Sequence, residues 1–116
     1  MMTKRPFYHV LIVSLVLFLS ACGRQSAEAT LKIEAMRFSQ TELQVKAGKP
    51  VTLHIVNKDG YSHAFDMDSF NIHSPLAANE TVAITFTPEV SGSYSFYCGS
   101  PGHKAAGMVG TLLVTP

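Results

Sequence analysis

Near the end of the chain, Cys98, His103 and Met108 fall at the spacing C-x-x-x-x-H-x-x-x-x-M. A thiolate, an imidazole and a thioether are soft or borderline metal ligands, and Pro101, Gly102 and Gly107 between them let the backbone fold back on itself. Upstream, His63 follows a turn-forming stretch from Asn57 to Ser62 and opens the short strand His63-Ala64-Phe65-Asp66, which places it at a strand end. Two imidazoles, one thiolate and a weak axial methionine make the trigonal donor set of a copper electron-transfer site. Zinc also accepts two histidines and a cysteine, but a structural zinc site takes a further Cys or His and has no use for methionine. The methionine tips the choice to copper. His54 and His73 compete for the upstream position. His54 alternates with Val51, Leu53 and Ile55 and His73 adjoins a Ser-Pro turn, so both read as surface or structural residues. Met36 and Met67 read as packing, while Asn57 and Ser100 are expected to hydrogen-bond across the ligand loops.

The elements that must position these donors have the period of strands. Leu31, Ile33 and Ala35 alternate with polar neighbours, as do Leu43 and Val45, then Val51, Leu53 and Ile55, and later Val82, Ile84 and Phe86. Tyr94, Phe96 and Cys98 share one face of a strand, so a period of two turns the thiol into the interior at the strand's end. A last strand runs from Val109 to Val114. Turn signals separate them at Ala47 to Pro50, Asn57 to Gly60, Ala77 to Glu80 and Pro88 to Gly92. There is no amphipathic helix, although Ser74 to Asn79 could hold one turn. Seven or eight short strands at this spacing predict an all-β, antiparallel β-sandwich over residues 31–116.

The beginning of the chain reads differently. Lys4 and Arg5 precede an apolar run from Val10 to Leu19, interrupted only by Ser14, which is too short for a transmembrane helix of ~20 residues. Residues 1–21 are therefore expected to be an export signal. Leu19-Ser20-Ala21-Cys22 looks like a bacterial lipobox, which makes Cys22 the lipidated first residue of the mature chain; the alternative is a plain secretory signal with an ordinary cysteine. With more than one acyl chain the anchor is stable. Residues 22–30 are polar or small and are expected to be a mobile, lipid-bearing tether. The location expected is the cell envelope, anchored to a bacterial membrane and facing the periplasm or another extracytoplasmic space. Two cysteines in an exported protein ordinarily make a disulfide, but lipid on Cys22 leaves Cys98 as a lone thiol in an oxidising compartment. A metal would occupy it; the plain alternative is a buried, inert cysteine.

Gly92-Ser93-Tyr94-Ser95-Phe96-Tyr97-Cys98, then Pro101, His103 and Ala106-Gly107-Met108-Val109-Gly110, resemble the copper-binding end of plastocyanin and related cupredoxins. The resemblance covers residues 31–116 and is strongest from 92 to 114. It implies a Greek-key β-sandwich and one type 1 (blue) copper ion cycling between Cu(I) and Cu(II), with ligands His63, Cys98, His103 and Met108. Plastocyanins have two residues between Cys and His; this chain has four, as in auracyanin-like and other bacterial cupredoxins.

Composition removes most other classes. Nine basic and eight acidic residues without a basic run offer no surface for nucleic acid. At 116 residues, 47% apolar and 15% charged, the chain is neither disordered nor long enough for a multidomain enzyme. The expected function is a membrane-tethered, monomeric carrier of single electrons, not an enzyme, with redox partners docking near His103. The alternatives are a copper-delivery lipoprotein, for which the chain lacks a Met-rich or His-rich tract, and a metal-free interaction module.

Overall fold

The computed structural model describes residues 26–116. Among them nine strands make two sheets: β1 (Ala27–Glu34), β2 (Arg37–Phe38), β4 (Val51–Asn57) and β7 (Thr81–Phe86) in one, ordered β2-β1-β4-β7, and β3 (Glu42–Lys46), β5 (His63–Met67), β6 (Ile72–Leu76), β8 (Gly92–Tyr97) and β9 (Val109–Thr115) in the other, ordered β3-β9-β8-β5-β6. The chain passes repeatedly from one sheet to the other, so the expected all-β Greek-key sandwich is the fold. Most pairs are antiparallel, but β1 runs parallel to β4 and β3 parallel to β9.

The alternation seen in the sequence becomes the core. Leu31, Ile33, Val51, Leu53 and Ile55 are buried from the first sheet, facing Leu43, Val45, Phe65, Phe96, Leu112 and Val114 of the second. Phe38, Phe65 and Phe96 form an aromatic cluster at its centre, with ring centroids 5.3 to 6.2 Å apart. Phe65 lies two residues after His63 and Phe96 two before Cys98, so the strand period that buries the rings turns both ligands the same way. Phe96 faces Gly110 across the β8–β9 pair, and a Cβ at Gly110 would meet its ring. Only a residue without a side chain lets the ring lie flat on β9.

Three local expectations are corrected. The tether expected to run to residue 30 gives way to strand at Ala27, whose N–H donates to the Pro50 carbonyl at 2.9 Å; Ala27–Thr30 pair with Val51–His54. Small residues at 27 and 29 hid that pairing. Ala35 does not continue β1. It forms with Met36 a two-residue hairpin turn into β2, both with positive φ (50° and 61°). Residues 74–76, expected to allow a helical turn, belong to β6, where Pro75 is tolerated because β6 is an edge strand. Cys22 and the export signal lie outside the described residues. No helix among the described residues is long and apolar enough to cross a membrane.

Candidate metal centre

Two chain segments meet at one pole of the sandwich: the Asn57–Ser62 loop leading to His63 at the head of β5, and the connection from β8 to β9 bearing Cys98, His103 and Met108. The second segment is closed by its own main chain. Met108 accepts the Cys98 N–H at 3.0 Å and donates its N–H to the His103 carbonyl at 3.1 Å, and His103 donates to the Ser100 carbonyl at 3.0 Å. Gly102 and Gly107 take φ of 81° and 101° at the two bends, conformations that glycine adopts without strain. The three donors of this loop are therefore placed by backbone bonds before any metal arrives.

Three donor atoms converge. His63 Nδ1 and His103 Nδ1 are 3.1 Å apart, and Cys98 Sγ lies 3.4 Å from His103 Nδ1 and 3.7 Å from His63 Nδ1. The point equidistant from all three is about 2.0 Å from each, a first-row metal-to-nitrogen bond length. Lone-pair atoms at such distances repel one another unless a cation or a proton lies between them. Cys98 and Met108 are fully buried, His63 is 2% exposed, and His103 is half-buried. The Ala64 N–H donates to Cys98 Sγ at 3.3 Å and fixes where the sulfur sits against the head of β5. Two nitrogens, a thiolate and a buried thioether supplied by the same closed loop fit one copper ion better than zinc.

The remaining expected residues separate. Asn57 is buried and braces its own loop against the β6–β7 turn: its amide donates to the Tyr61 and Ala77 carbonyls at 2.8 and 2.9 Å and its Oδ1 accepts the Asp59 N–H at 3.0 Å. Ser100 acts through its carbonyl, on His103. Neither bridges the two loops, a task done instead by the Ala64 N–H. His54 is on the outer face with Glu28 3.4 Å away, and exposed His73 pairs with Asp66, so both are outside the centre. Met67 is core, and Met36 packs against it.

Two carboxylates that the sequence analysis left unassigned hold the ligand loops. Asp66 accepts the Gly99 N–H at 2.8 Å, tying β5 to the residue after Cys98, and a Cβ at Gly99 would strike that carboxylate. Asp59 accepts a hydrogen bond from His63 Nε2 at 2.8 Å and from the N–H groups of Ala35 and Met36 at 2.8 and 3.2 Å. Burial acts to raise the Asp59 pKa, yet the bonds from His63 and the two backbone N–H groups outweigh it and hold the carboxyl below its ordinary value. Its position four residues before a candidate ligand is the one sequence signal that could have found it.

A family model described as a cupredoxin-like domain matches residues 9–114. This chain belongs to the cupredoxin-like family. It is 33% identical over 126 residues to auracyanin-A of Chloroflexus aurantiacus, covering 82% of this chain and 77% of that one. It is 32% identical over 116 residues to plastocyanin of Prochlorothrix hollandica, covering 90% and 86%. Among solved structures, auracyanin A, a "blue" copper protein from Chloroflexus aurantiacus, superposes with a TM-score of 0.67 at 27% identity over 78% of this cupredoxin and all of the other chain. The sandwich, the donor set and the family thus agree on a single copper centre.

Proposed function

We propose that this cupredoxin is a membrane-tethered type 1 copper protein that carries single electrons between redox partners in the cell envelope. The observation that carries the reading is the preformed triangle of His63 Nδ1, His103 Nδ1 and Cys98 Sγ, backed by buried Met108 on a backbone-closed loop. Bound copper supplies a one-electron couple between Cu(I) and Cu(II). The protein's part is to keep the donors in place through that change. His63 comes from one sheet strand and the others from a loop locked by main-chain bonds, so the geometry has little freedom to relax and reorganisation stays small. Cys98 and Met108 exclude water from the sulfur side, leaving the half-buried His103 ring as the electron's way out. Around it Pro101, Gly102, Ala105, Ala106 and Gly107 are exposed, small and uncharged, which allows a partner to approach closely in a small, transient contact.

Lipid on Cys22 would hold the domain at a membrane, facing the periplasm or an equivalent extracytoplasmic space. The relatives matched over most of both chains are an auracyanin and a plastocyanin, which supports a carrier rather than an enzyme. Copper delivery is the competing reading, and burial of both sulfur donors disfavours exchange. Redox titration of the copper-loaded protein tests the choice. A reversible one-electron couple with an intense colour that bleaches on reduction supports the carrier; colourless binding of Cu(I) with rapid release to a chelator supports delivery. Cys22→Ser should move the protein from the membrane fraction to the soluble one, and a variant that stays with the membrane refutes the lipid anchor.

A further inference from the structure

We propose that Asp59 is a positioning residue of the copper centre: its carboxylate fixes His63 in the tautomer that offers Nδ1 to the metal, and sets a negative charge behind that ligand which biases the couple toward Cu(II). The inference rests on the copper reading above and adds a determinant of the potential to it.

The geometry is specific. His63 has one ring nitrogen toward the donor triangle and the other, Nε2, 2.8 Å from Asp59 Oδ2. A carboxylate can only accept, so Nε2 carries the proton and Nδ1 is left with a free lone pair. Among the described residues no lysine or arginine lies within ion-pair distance of Asp59, whose partner is the His63 ring, so no fixed cation cancels the carboxylate charge. A carboxylate behind a ligating imidazole raises the basicity of that ligand and stabilises the more highly charged state of the metal.

Asp59 is itself held on several sides. Its N–H donates to Asn57 Oδ1 at 3.0 Å, its carbonyl accepts the Asn79 N–H at 3.1 Å, and its carboxylate takes the N–H groups of Ala35 and Met36. Those two residues occupy left-handed conformations, φ 50° and 61°, in a two-residue hairpin turn where Asn-Gly is the favoured pair. Strained backbone persists where surrounding structure over-determines it, and here the over-determining group is the one that orients a ligand. The turn anchors the carboxylate as the carboxylate anchors the turn.

The test has an arm without copper and an arm with it. In the metal-free protein, long-range nitrogen–proton NMR of His63 should show the Nε2-protonated tautomer alone; a Nδ1-protonated ring or a mixture overturns the positioning role. The second arm uses an Ala35→Asn, Met36→Gly background, whose turn no longer depends on the carboxylate for its conformation. Adding Asp59→Asn to that background should lower the preference for Cu(II) over Cu(I) at least tenfold, an upward shift of about 59 mV in the midpoint. Asp59→Glu, which keeps the charge, should lie closer to the parent. An Asp59→Asn protein that folds, binds copper with the parent's spectrum and shows an unchanged midpoint overturns the tuning role. If the background protein takes up no copper, it is the copper reading that fails, and the tautomer measurement still decides whether Asp59 orients His63.

Discussion

Phe96 and Gly110 face each other across the β8–β9 pair, and Cys98 follows the end of β8 directly as Met108 directly precedes β9. Replacing either member should damage the sandwich, and replacing both should damage it less than the sum. Phe96→Leu removes the aromatic contacts to Phe38 and Phe65, at centroid distances of 5.3 and 5.5 Å. Two such pairs are worth about 1–3 kcal/mol together. Gly110→Ala puts a methyl group into space that the Phe96 ring occupies. Overpacking of that kind costs about 1–3 kcal/mol, offset by about 0.5–1 kcal/mol from the lower chain entropy of alanine in a strand. In the double variant the added methyl fills part of the space vacated by the ring, so the two costs should fall short of additivity by about 1–2 kcal/mol. Urea unfolding of the metal-free proteins, followed by tyrosine fluorescence and circular dichroism with a common m-value, measures the coupling. Strict additivity would refute the claim that the ring lies against β9 at Gly110.

Cys98→Ser should leave a folded protein with no strong visible absorption on addition of cupric salt, and a variant that stays intensely coloured would remove Cys98 from the ligands. Met108→Leu should keep copper and raise the midpoint potential, because a weak axial donor to Cu(II) is lost while burial is retained; an unchanged potential would remove Met108. Tyr97 donates its hydroxyl proton to Asp68 at 2.9 Å, and that bond, followed by burial and the nearby carboxylate charges, raises the phenol pKa. The protonated phenol is the form stabilised in the fold, so this contribution is present at neutral pH and is lost as alkaline pH passes through the raised value. Asp68→Asn should bring the Tyr97 ultraviolet titration to lower pH, and an unmoved curve would deny the bond.

The ligand loop was legible in the sequence because its donors are neighbours along the chain. Cys98, His103 and Met108 are connected by a loop whose own backbone bonds fix it, and the period of two in β8 pointed the thiol inward. His63 was legible because it heads a strand after a turn. What escaped reading depends on contacts distant in sequence. Nothing about Ala35-Met36 signals a tight turn; its left-handed backbone is supported by Asp59, more than twenty residues downstream. Asp59 in turn looks like an ordinary turn residue until His63 folds back over it. The start of β1 was obscured by Ala27 and Ala29, too small to mark a buried face, and β6 by a proline that an edge position accommodates. Asn57 lies at the pole, but its bonds run to its own loop and to the β6–β7 turn, not across to the Cys98–Met108 loop.

The most direct test of the copper centre is a visible and electron paramagnetic resonance spectrum of the purified protein loaded with cupric salt, with metal content determined on the same sample. One copper per chain, an intense charge-transfer colour that bleaches reversibly on reduction, and a narrow copper hyperfine splitting are the expected results. A colourless protein with nothing bound would contradict the donor assignment at its root.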